Sequence, residues 1–599
     1  MRIHREMTNL EIAELLRAVA AAYELKDKDK NKFRIIAYER AADAVEHLSS
    51  EAKDLWDEGK LAEVGGIGES IANHLGEIFS KGKSKHFSEV MHGIPKACFK
   101  LLEVSGIGPK TAFRLVKQLT ISDKNPLKDL LTKAEKGEIA KLDGFGTDSE
   151  KAIIASIKEV EGRERRMLLN YALEVANEVL EWMKADKDVK VADVLGSLRR
   201  KASTVGDIDI AVATDKSDSV IIHFTRYPKK SRVLEKGDRS ASVILPGDIQ
   251  VDLKVQEPAA YGSLLQHFTG SKHHNIALRE YALKKGLSLS EYGIRNTKNE
   301  KLKKFENEET FYKFLGMDWI PPELREATGE IEAALRQGQG KSGGLPKLVE
   351  INDINADLQI HSSFDVETSH DLGESSMAEI VAKVDSLGYE YVAFTEHNPS
   401  QRGHNQKDVL EILKRKKDAV DKINYSISKS NNKVKKVYNS LEIDILPSNG
   451  LPVDDEALEL LDFALISIHS SFRLPREKMT QRVLEAFSHP KVKIFAHPTA
   501  RRINEREGIE LDWPKIFDYC VKNSKWLEIN ADPMRLDLPD FLVHEAIKLG
   551  VKLTMGTDAH NKDMLDNMQY AVYVARRGWA KAEDILNTYT LDEFEKMLE

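Results

Sequence analysis

The chain has 599 residues, 89 lysines and arginines against 97 aspartates and glutamates, a net charge of −8 and 41% hydrophobic residues. That length excludes a single core and predicts about three to five domains of roughly 100 to 200 residues each, while the apolar content excludes extended disorder. No apolar signal core opens the sequence and no run of about 18 apolar residues occurs, so a cytoplasmic location without a membrane partner is expected.

Only Cys98 and Cys520 are present, far apart, so any metal has to rest on His, Asp and Glu rather than on a cysteine cage. The acidic balance disfavours a polyanionic partner on average. Charge is segregated, however: Arg226 to Arg239 holds six basic and two acidic residues, and Lys414 to Lys436 holds nine basic and two acidic.

Residues 1 to about 160 read as short helices, with apolar side chains at helical spacing in Ile12, Leu15, Leu16 and Val19, then in Ala37, Ala41, Ala44, Val45 and Leu48. A Gly-hydrophobic-Gly element recurs between them as Gly66-Ile67-Gly68, Gly106-Ile107-Gly108 and Gly144-Phe145-Gly146, 40 and 38 residues apart. Such a hairpin exposes backbone N–H groups near a helix N-terminus and suits a phosphate without reading a base. Three copies predict a helix-hairpin-helix array on a DNA backbone, with Lys110 and Thr111 adding contacts after the second.

From about residue 165 the pattern turns to helix plus strands, with strands expected over 189–195, 208–213, 241–245 and 249–255. Gly196-Ser197-Leu198-Arg199-Arg200 is followed by Gly206-Asp207-Ile208-Asp209-Ile210. Residues two apart on a strand face one side, so Asp207 and Asp209 present two carboxylates together. Asp252 is positioned to add a third from a neighbouring strand. Three converging carboxylates repel one another unless divalent cations neutralise them, which is the chemistry of a metal pair in phosphoryl transfer. The Gly-Ser turn backed by arginines suits a triphosphate tail.

On these residues, 1–318 resembles a family X DNA polymerase with a nucleotidyltransferase palm. The similarity continues in Phe268-Thr269-Gly270-Ser271, Asn275, Arg279 and Glu291-Tyr292-Gly293-Ile294-Arg295. The resemblance implies that Asp207, Asp209 and Asp252 bind two Mg²⁺ or Mn²⁺ ions, and that Gly196, Ser197, Arg200, Gly206 and Gly270 surround the nucleotide. It also implies that Asn275 meets the base edge, Arg279 the template, and the hairpin glycines the DNA backbone. Partners are then gapped or primed duplex DNA and deoxynucleoside triphosphates, with the chain a monomer. Two positions depart from the family. His74 and Ser70 stand where lyase members carry lysines, and a histidine cannot form the imine, so lyase activity is not expected. His267 stands where a tyrosine often precedes the phenylalanine of the sugar-facing turn, leaving ribonucleotide exclusion open.

Pro321-Pro322 and the glycine-rich 337–346 read as an exposed linker. Beyond it, strand-like segments (356–361, 391–395, 436–443, 463–468, 493–496, 526–530, 552–555) alternate with helical ones, as in a parallel β/α barrel. His361, His397, His469, His497 and His560, with Glu442 and Asp558, fall at predicted strand ends, where barrel enzymes place their chemistry. Imidazoles mixed with carboxylates suit Mn²⁺, Zn²⁺ or Fe²⁺.

Residues 351–599 resemble the PHP (polymerase and histidinol phosphatase) domain of bacterial family X polymerases. The matching segments are Thr395-Glu396-His397, Leu441-Glu442-Ile443-Asp444, Ser467-Ile468-His469, Ala496-His497-Pro498, Glu528-Ile529-Asn530 and Gly556-Thr557-Asp558-Ala559-His560. Active members bind three metals and act as Mn²⁺-dependent 3′ to 5′ exonucleases. Here the first motif, Asp-Leu-His-x-His in the family, reads Asp357-Leu358-Gln359-Ile360-His361, the following Ser-Asp-Gly is absent, and Asp365 is one residue out of place. The implied outcome is a partial Mn²⁺ or Zn²⁺ site of incomplete occupancy, with the nuclease weakened or lost.

The expected organisation is a multidomain α+β and α/β chain. An N-terminal helical region spans 1–85 and a second helical DNA-binding part 86–160. The palm spans 161–257, a nucleotide-selection part 258–318, a linker 319–350 and the PHP barrel 351–599. Gap-filling DNA synthesis is the leading function. The alternative is a metal-dependent DNA phosphoesterase whose N-terminal half only holds DNA, and a third reading is a noncatalytic DNA-end scaffold.

Overall fold

The computed structural model describes residues 7, 9–46, 52–57, 59–102, 104, 107–142, 144–162, 166–247, 249–338, 344–401, 403–447 and 450–599. Leu48, Gly106 and positions 339–343 of the expected linker lie outside the described residues. The chain divides into two units, Met1–Arg165 and Arg166–Glu599.

In the first unit, helices Asn9–Asp27 and Lys32–Glu46 pair through the stripe read from the sequence, burying Ile12, Leu16, Val19, Ala41 and Val45. Ala37, expected on that stripe, is exposed, because it sits between the inward turns of Ile35 and Tyr38. Helices Glu69–Lys81, Pro109–Leu119 and Thr147–Gly162 each start directly after a hairpin glycine.

The second unit begins with a five-stranded sheet in the order Val191–Val194, Ile208–Ala213, Ile249–Gln256, Ser240–Leu245, Arg232–Lys236. Ile208, Ile210, Val251 and Leu253 are fully buried and share a core with Leu169, Ala172, Ala176 and Val179 of the helix Leu169–Lys184. Period-two alternation therefore turns the acidic residues between them to the other face. The edge strand Arg232–Lys236 was not expected from the sequence. It is exposed throughout, and its charge suits an edge that must not recruit another strand.

Residues 319–338, expected as linker, are instead packed. Ile320, Leu324, Ile331 and Ala334 join Leu278, Ile294, Phe311 and Tyr312 in one cluster, and Glu330–Gly338 is a helix. Pro321-Pro322 stiffens the chain locally, but the apolar residues around it find a core. Beneath them His274 Nδ1 lies 2.6 Å from Glu330 Oε1, with both side chains fully buried.

The C-terminal strands all run parallel in two sheets. Ala356–Ile360, Tyr391–Phe394 and Lys436–Asn439 form the first. Glu442–Asp444, Ala464–Ser467, Val492–Phe495, Trp526–Asn530 and Leu553–Gly556 form the second. The single strand expected over 436–443 is thus broken at Ser440-Leu441. Parallel bridges His397–Glu442 and Ile360–Ala559 join the two sheets into a distorted barrel. Among the described residues no helix is long and apolar enough to cross a membrane.

Candidate active sites of the palm and the barrel

The three glycine hairpins share one hydrogen bond. The central hydrophobic residue donates its N–H to the carbonyl three residues back, Ile67 to Val64 at 2.9 Å, Ile107 to Val104 at 3.0 Å and Phe145 to Leu142 at 3.1 Å. Gly66 and Gly144 take φ of 109° and 76°, a region that glycine enters without steric penalty. Gly68 and Gly108 cap their helices with extended backbone, and the Gly146 carbonyl accepts from Glu150 N. The first-turn N–H groups that lack intrahelical partners follow each turn, and Lys110 stands in the first turn of the second helix. In the first hairpin helix His74 stacks on His86 with ring centroids 4.2 Å apart.

In the palm, Asp209 and Asp252 are register partners across two parallel strands. One carboxylate oxygen from each of Asp207, Asp209 and Asp252 lies within 4.8 Å of the others. Asp252 is steadied by the Gln250 amide, 3.1 and 3.0 Å from its two oxygens. Burial, then repulsion from Asp207 and Asp252, pushes the Asp209 carboxyl up to about 7. Held protons signal a site short of positive charge, which a divalent cation supplies.

Gly196 begins the short helix Gly196–Arg199 with φ 58°, and a Cβ there would lie 2.7 Å from Asp209 Oδ2. The Gly196-Ser197 turn is thereby pressed against the carboxylates. Arg199 points elsewhere, gripping Glu308 with two bonds of 3.1 and 2.8 Å. Arg200 donates to Thr269 O at 2.7 Å and to Glu326 Oε1 at 2.9 Å. Gly270 is required by its neighbours, since a Cβ would meet His274 Cδ2 at 2.8 Å and Asn275 Oδ1 at 2.9 Å. Asn275 donates to His267 O at 2.7 Å, and Arg279 Nη2 lies 3.5 Å from His267 Nδ1. His267 therefore links the two residues that the resemblance assigns to base and template.

In the barrel, Glu442 is the hub. Its Oε1 lies 2.9 Å from His497 Nε2 and 3.5 Å from His469 Nε2, and its Oε2 lies 3.2 Å from His361 Nε2 and 3.8 Å from His397 Nδ1. Asp558 Oδ1 approaches His361 Nε2 at 3.1 Å, and His560 stacks on His361 at 4.4 Å between centroids. Three triads among these residues have ligand atoms within 4.8 Å of one another: His361 with His397 and His560, Glu442 with His469 and His497, and His361 with Glu442 and Asp558. Burial works against charge on His361, but Asp558 and Glu442 outweigh it and raise the imidazole to about 10. Burial alone would raise Glu442, yet the imidazoles around it, His397 foremost, hold it well below the usual carboxylate range. Buried nitrogens of His361, His397, His497 and His560 lack hydrogen-bond partners, a state that protein interiors seldom leave uncompensated. His497 and Asp558 also sit at φ of 29° and 55°, the kind of backbone strain that concentrates at functional sites. Donor set, charge and orphaned nitrogens all fit divalent cations of the kind that imidazole and carboxylate share.

Two family models match the helical part: "Helix-hairpin-helix domain" over residues 7–84 and "SAM-like Helix-hairpin-helix tandem" over 100–159. "DNA polymerase beta thumb" matches 264–326. Rat DNA polymerase lambda is 23% identical over 350 residues, 53% of this chain and 56% of that one. A probable phosphatase of Thermoanaerobacter sp. (strain X514) is 22% identical over 227 residues, 36% of this chain and 84% of that one. The DNA polymerase/3′-5′ exonuclease PolX of Bacillus subtilis (strain 168) is 32% identical over 594 residues, 99% of each chain. The chain belongs to the family X DNA polymerases with a C-terminal PHP domain.

Against the family's first PHP motif, this member differs in more than one ligand. Gln359 Nε2 donates to Glu442 Oε2 at 2.8 Å, while its Oε1 accepts from Asn530 Nδ2 at 3.3 Å. It therefore offers the cluster N–H groups rather than a lone pair. Asp365 does not reach the cluster, and its Oδ1 accepts from Glu367 N at 2.7 Å. Glu396 is bound to the fully buried Lys416 at 2.8 Å and to Ser362 Oγ at 2.5 Å. Lys416 belongs to the basic run 414–436 and lies on the helix Gln406–Ile427, and its ammonium also donates to Phe394 O at 2.9 Å, so this lysine is buried against the strand ends. Sequence reasoning missed His370 and Asp371 and quoted Asp444 only within a matching segment, without a role; all three stand in or beside the cluster. The signal available was a His-Asp-x-Gly segment, 370–373, shortly after the damaged motif.

Proposed function

We propose that this family X member is a template-directed DNA polymerase that fills short gaps by metal-assisted nucleotidyl transfer. The observation that carries the reading is the pairing of Asp209 with Asp252 across parallel strands, with Asp207 alongside and the Gly196-Ser197 turn pressed against them. The three carboxylates fit a pair of Mg²⁺ or Mn²⁺ ions, which when bound activate the attacking hydroxyl and neutralise charge on the leaving phosphates. Ser197, the N–H groups of the 196–199 turn and Arg200 hold the triphosphate. Asn275 and Arg279 position base and template through their shared neighbour His267. The primer 3′ oxygen bonds to the α-phosphorus as its proton leaves, the bond to the bridging oxygen breaks, and pyrophosphate departs. The hairpins hold the duplex backbone without reading sequence.

The barrel, in this reading, holds Mn²⁺ or Zn²⁺ and carries a phosphoesterase activity toward DNA 3′ ends that is weaker than that of members with an intact first motif. The reason is Gln359, whose amide is committed to Glu442 and Asn530. Labelled deoxynucleotide supplied with a gapped duplex and Mg²⁺ or Mn²⁺ tests both halves. Extension by the wild type and its loss in Asp207→Ala, with DNA binding retained, is the expected outcome. Extension that persists in Asp207→Ala defeats the metal assignment, and shortening that outpaces extension favours the phosphoesterase alternative.

A further inference from the structure

We infer that His370 is a metal ligand of the barrel, completing a nitrogen triad with His397 and His469. The inference rests on the reading that the barrel holds metal, and adds a residue outside every motif by which that domain was recognised.

His370 lies in the segment between the strand Ala356–Ile360 and the helix Met377–Leu387. That segment is fastened along its length. Ser363 N donates to Ser375 O at 2.8 Å, Gly373 N to Ser362 O at 3.1 Å and Ser400 N to Glu367 O at 3.0 Å, and Thr368 bridges Pro399. A Cβ on Gly373 would come within 2.1 Å of His361 O, so only glycine lets the segment lie this close to the first motif. His370 and Asp371 are the residues that the fastening turns toward the cluster. Asp371 Oδ2 comes 3.8 Å from His560 Nε2.

Potential ligand atoms of His370, His397 and His469 lie within 4.8 Å of one another. Ring centroids of His370 are 4.5 Å from His397 and 4.9 Å from His469. Asp444 aims the outer two rings. Its Oδ2 lies 2.7 Å from His370 Nε2 and its Oδ1 2.7 Å from His469 Nδ1. One carboxylate thus holds two imidazoles, leaving Nδ1 of His370 and Nε2 of His469 as donors, the arrangement by which outer carboxylates fix metal-binding histidines. An independent sign comes from His397 between them, only 6% exposed and with no hydrogen-bond partner for Nδ1. A buried nitrogen without a hydrogen-bond partner, on a ring that stands beside two oriented imidazoles, suits a nitrogen-preferring divalent cation.

Metal-free full-length protein is to be titrated with Co²⁺, following visible absorption and counting the metal retained after desalting. The palm site offers only oxygen donors, so a strong nitrogen-donor band reports the barrel. The expected result is such a band in the wild type, with at least one fewer Co²⁺ retained, or affinity lowered more than about tenfold, in His370→Ala and in His370→Gln. His489→Ala, at a histidine beside Asp455 and outside the cluster, is expected to match the wild type, and circular dichroism verifies folding of each variant. Unchanged band and count in a folded His370 variant overturn the inference alone. A wild type without any nitrogen-donor band overturns the metal-holding reading as well.

Discussion

Arg200 of the palm and Arg577 of the barrel donate to the same oxygen of Glu326, at 2.9 and 3.0 Å. Arg577 also donates to the Arg200 carbonyl at 2.8 Å and pairs with Asp540 at 2.7 Å. The arginine proposed to hold triphosphate is therefore oriented by a residue near the C-terminal end of the chain. Arg577→Ala leaves Asp540 without this cation and Glu326 with Arg200 alone, and is expected to destabilise the Arg166–Glu599 unit by roughly 2 kcal/mol, measured by denaturant unfolding. It is also expected to raise the KM for nucleotide more than it lowers kcat. Unchanged stability and unchanged KM would contradict the linkage.

Asp209 makes the metal response depend on pH. Unfolded, an aspartate ionises near 4 (about 3.9), whereas burial and its acidic neighbours raise the folded value to about 7. The metal-free fold is therefore favoured by this group below the unfolded range. That contribution is lost as pH climbs to about 7 and stays lost above it. A cation relieves the repulsion and competes with the proton. The rise in Tm on adding Mn²⁺ should be larger near pH 8 than near pH 6, and Asp209→Asn should flatten the difference.

Gly196→Ala tests how tightly the phosphate turn presses on the carboxylates. The added methyl would stand 2.7 Å from Asp209 Oδ2 at a φ of 58°, costing about 1–2 kcal/mol in backbone strain and displacing the carboxylate. Gap filling should fall sharply while affinity for duplex DNA, carried by the hairpins, stays near wild type. A gel-shift titration beside the extension assay separates the two.

Gln359→His should restore a lone pair where the amide now donates to Glu442. Metal content by elemental analysis and 3′-end shortening are both expected to rise. If neither changes, the loss in the first motif is not what limits the barrel.

Much of both sites was legible because their chemistry follows strand periodicity. Asp207, Asp209 and Asp252 could be placed on one face by counting in twos, and His361, His469, His497 and Asp558 by finding where apolar runs end. His370 could not be placed by counting, since its position depends on how one irregular segment is fastened to Ser362 and Pro399, and the His-Asp-x-Gly composition of 370–373 was its one mark in the sequence. The strand Arg232–Lys236 was missed because neither of its faces is buried, so no alternation marks it. The expected linker failed for the opposite reason. Proline and glycine report local backbone preference, while Ile320, Leu324 and Ile331 answer to a core assembled from residues far back in the chain.

The spacing of the palm carboxylates is fixed by main-chain pairing, since Asp209 lies opposite Asp252 between neighbouring strands. Inserting one residue into either strand would rotate its carboxylate into the oily interior, and inserting two would carry it a full pleat repeat, about 6.6 Å, beyond its mate. Side-chain exchange beside this pair leaves the spacing intact, whereas lengthening or shortening either strand pulls the carboxylates apart.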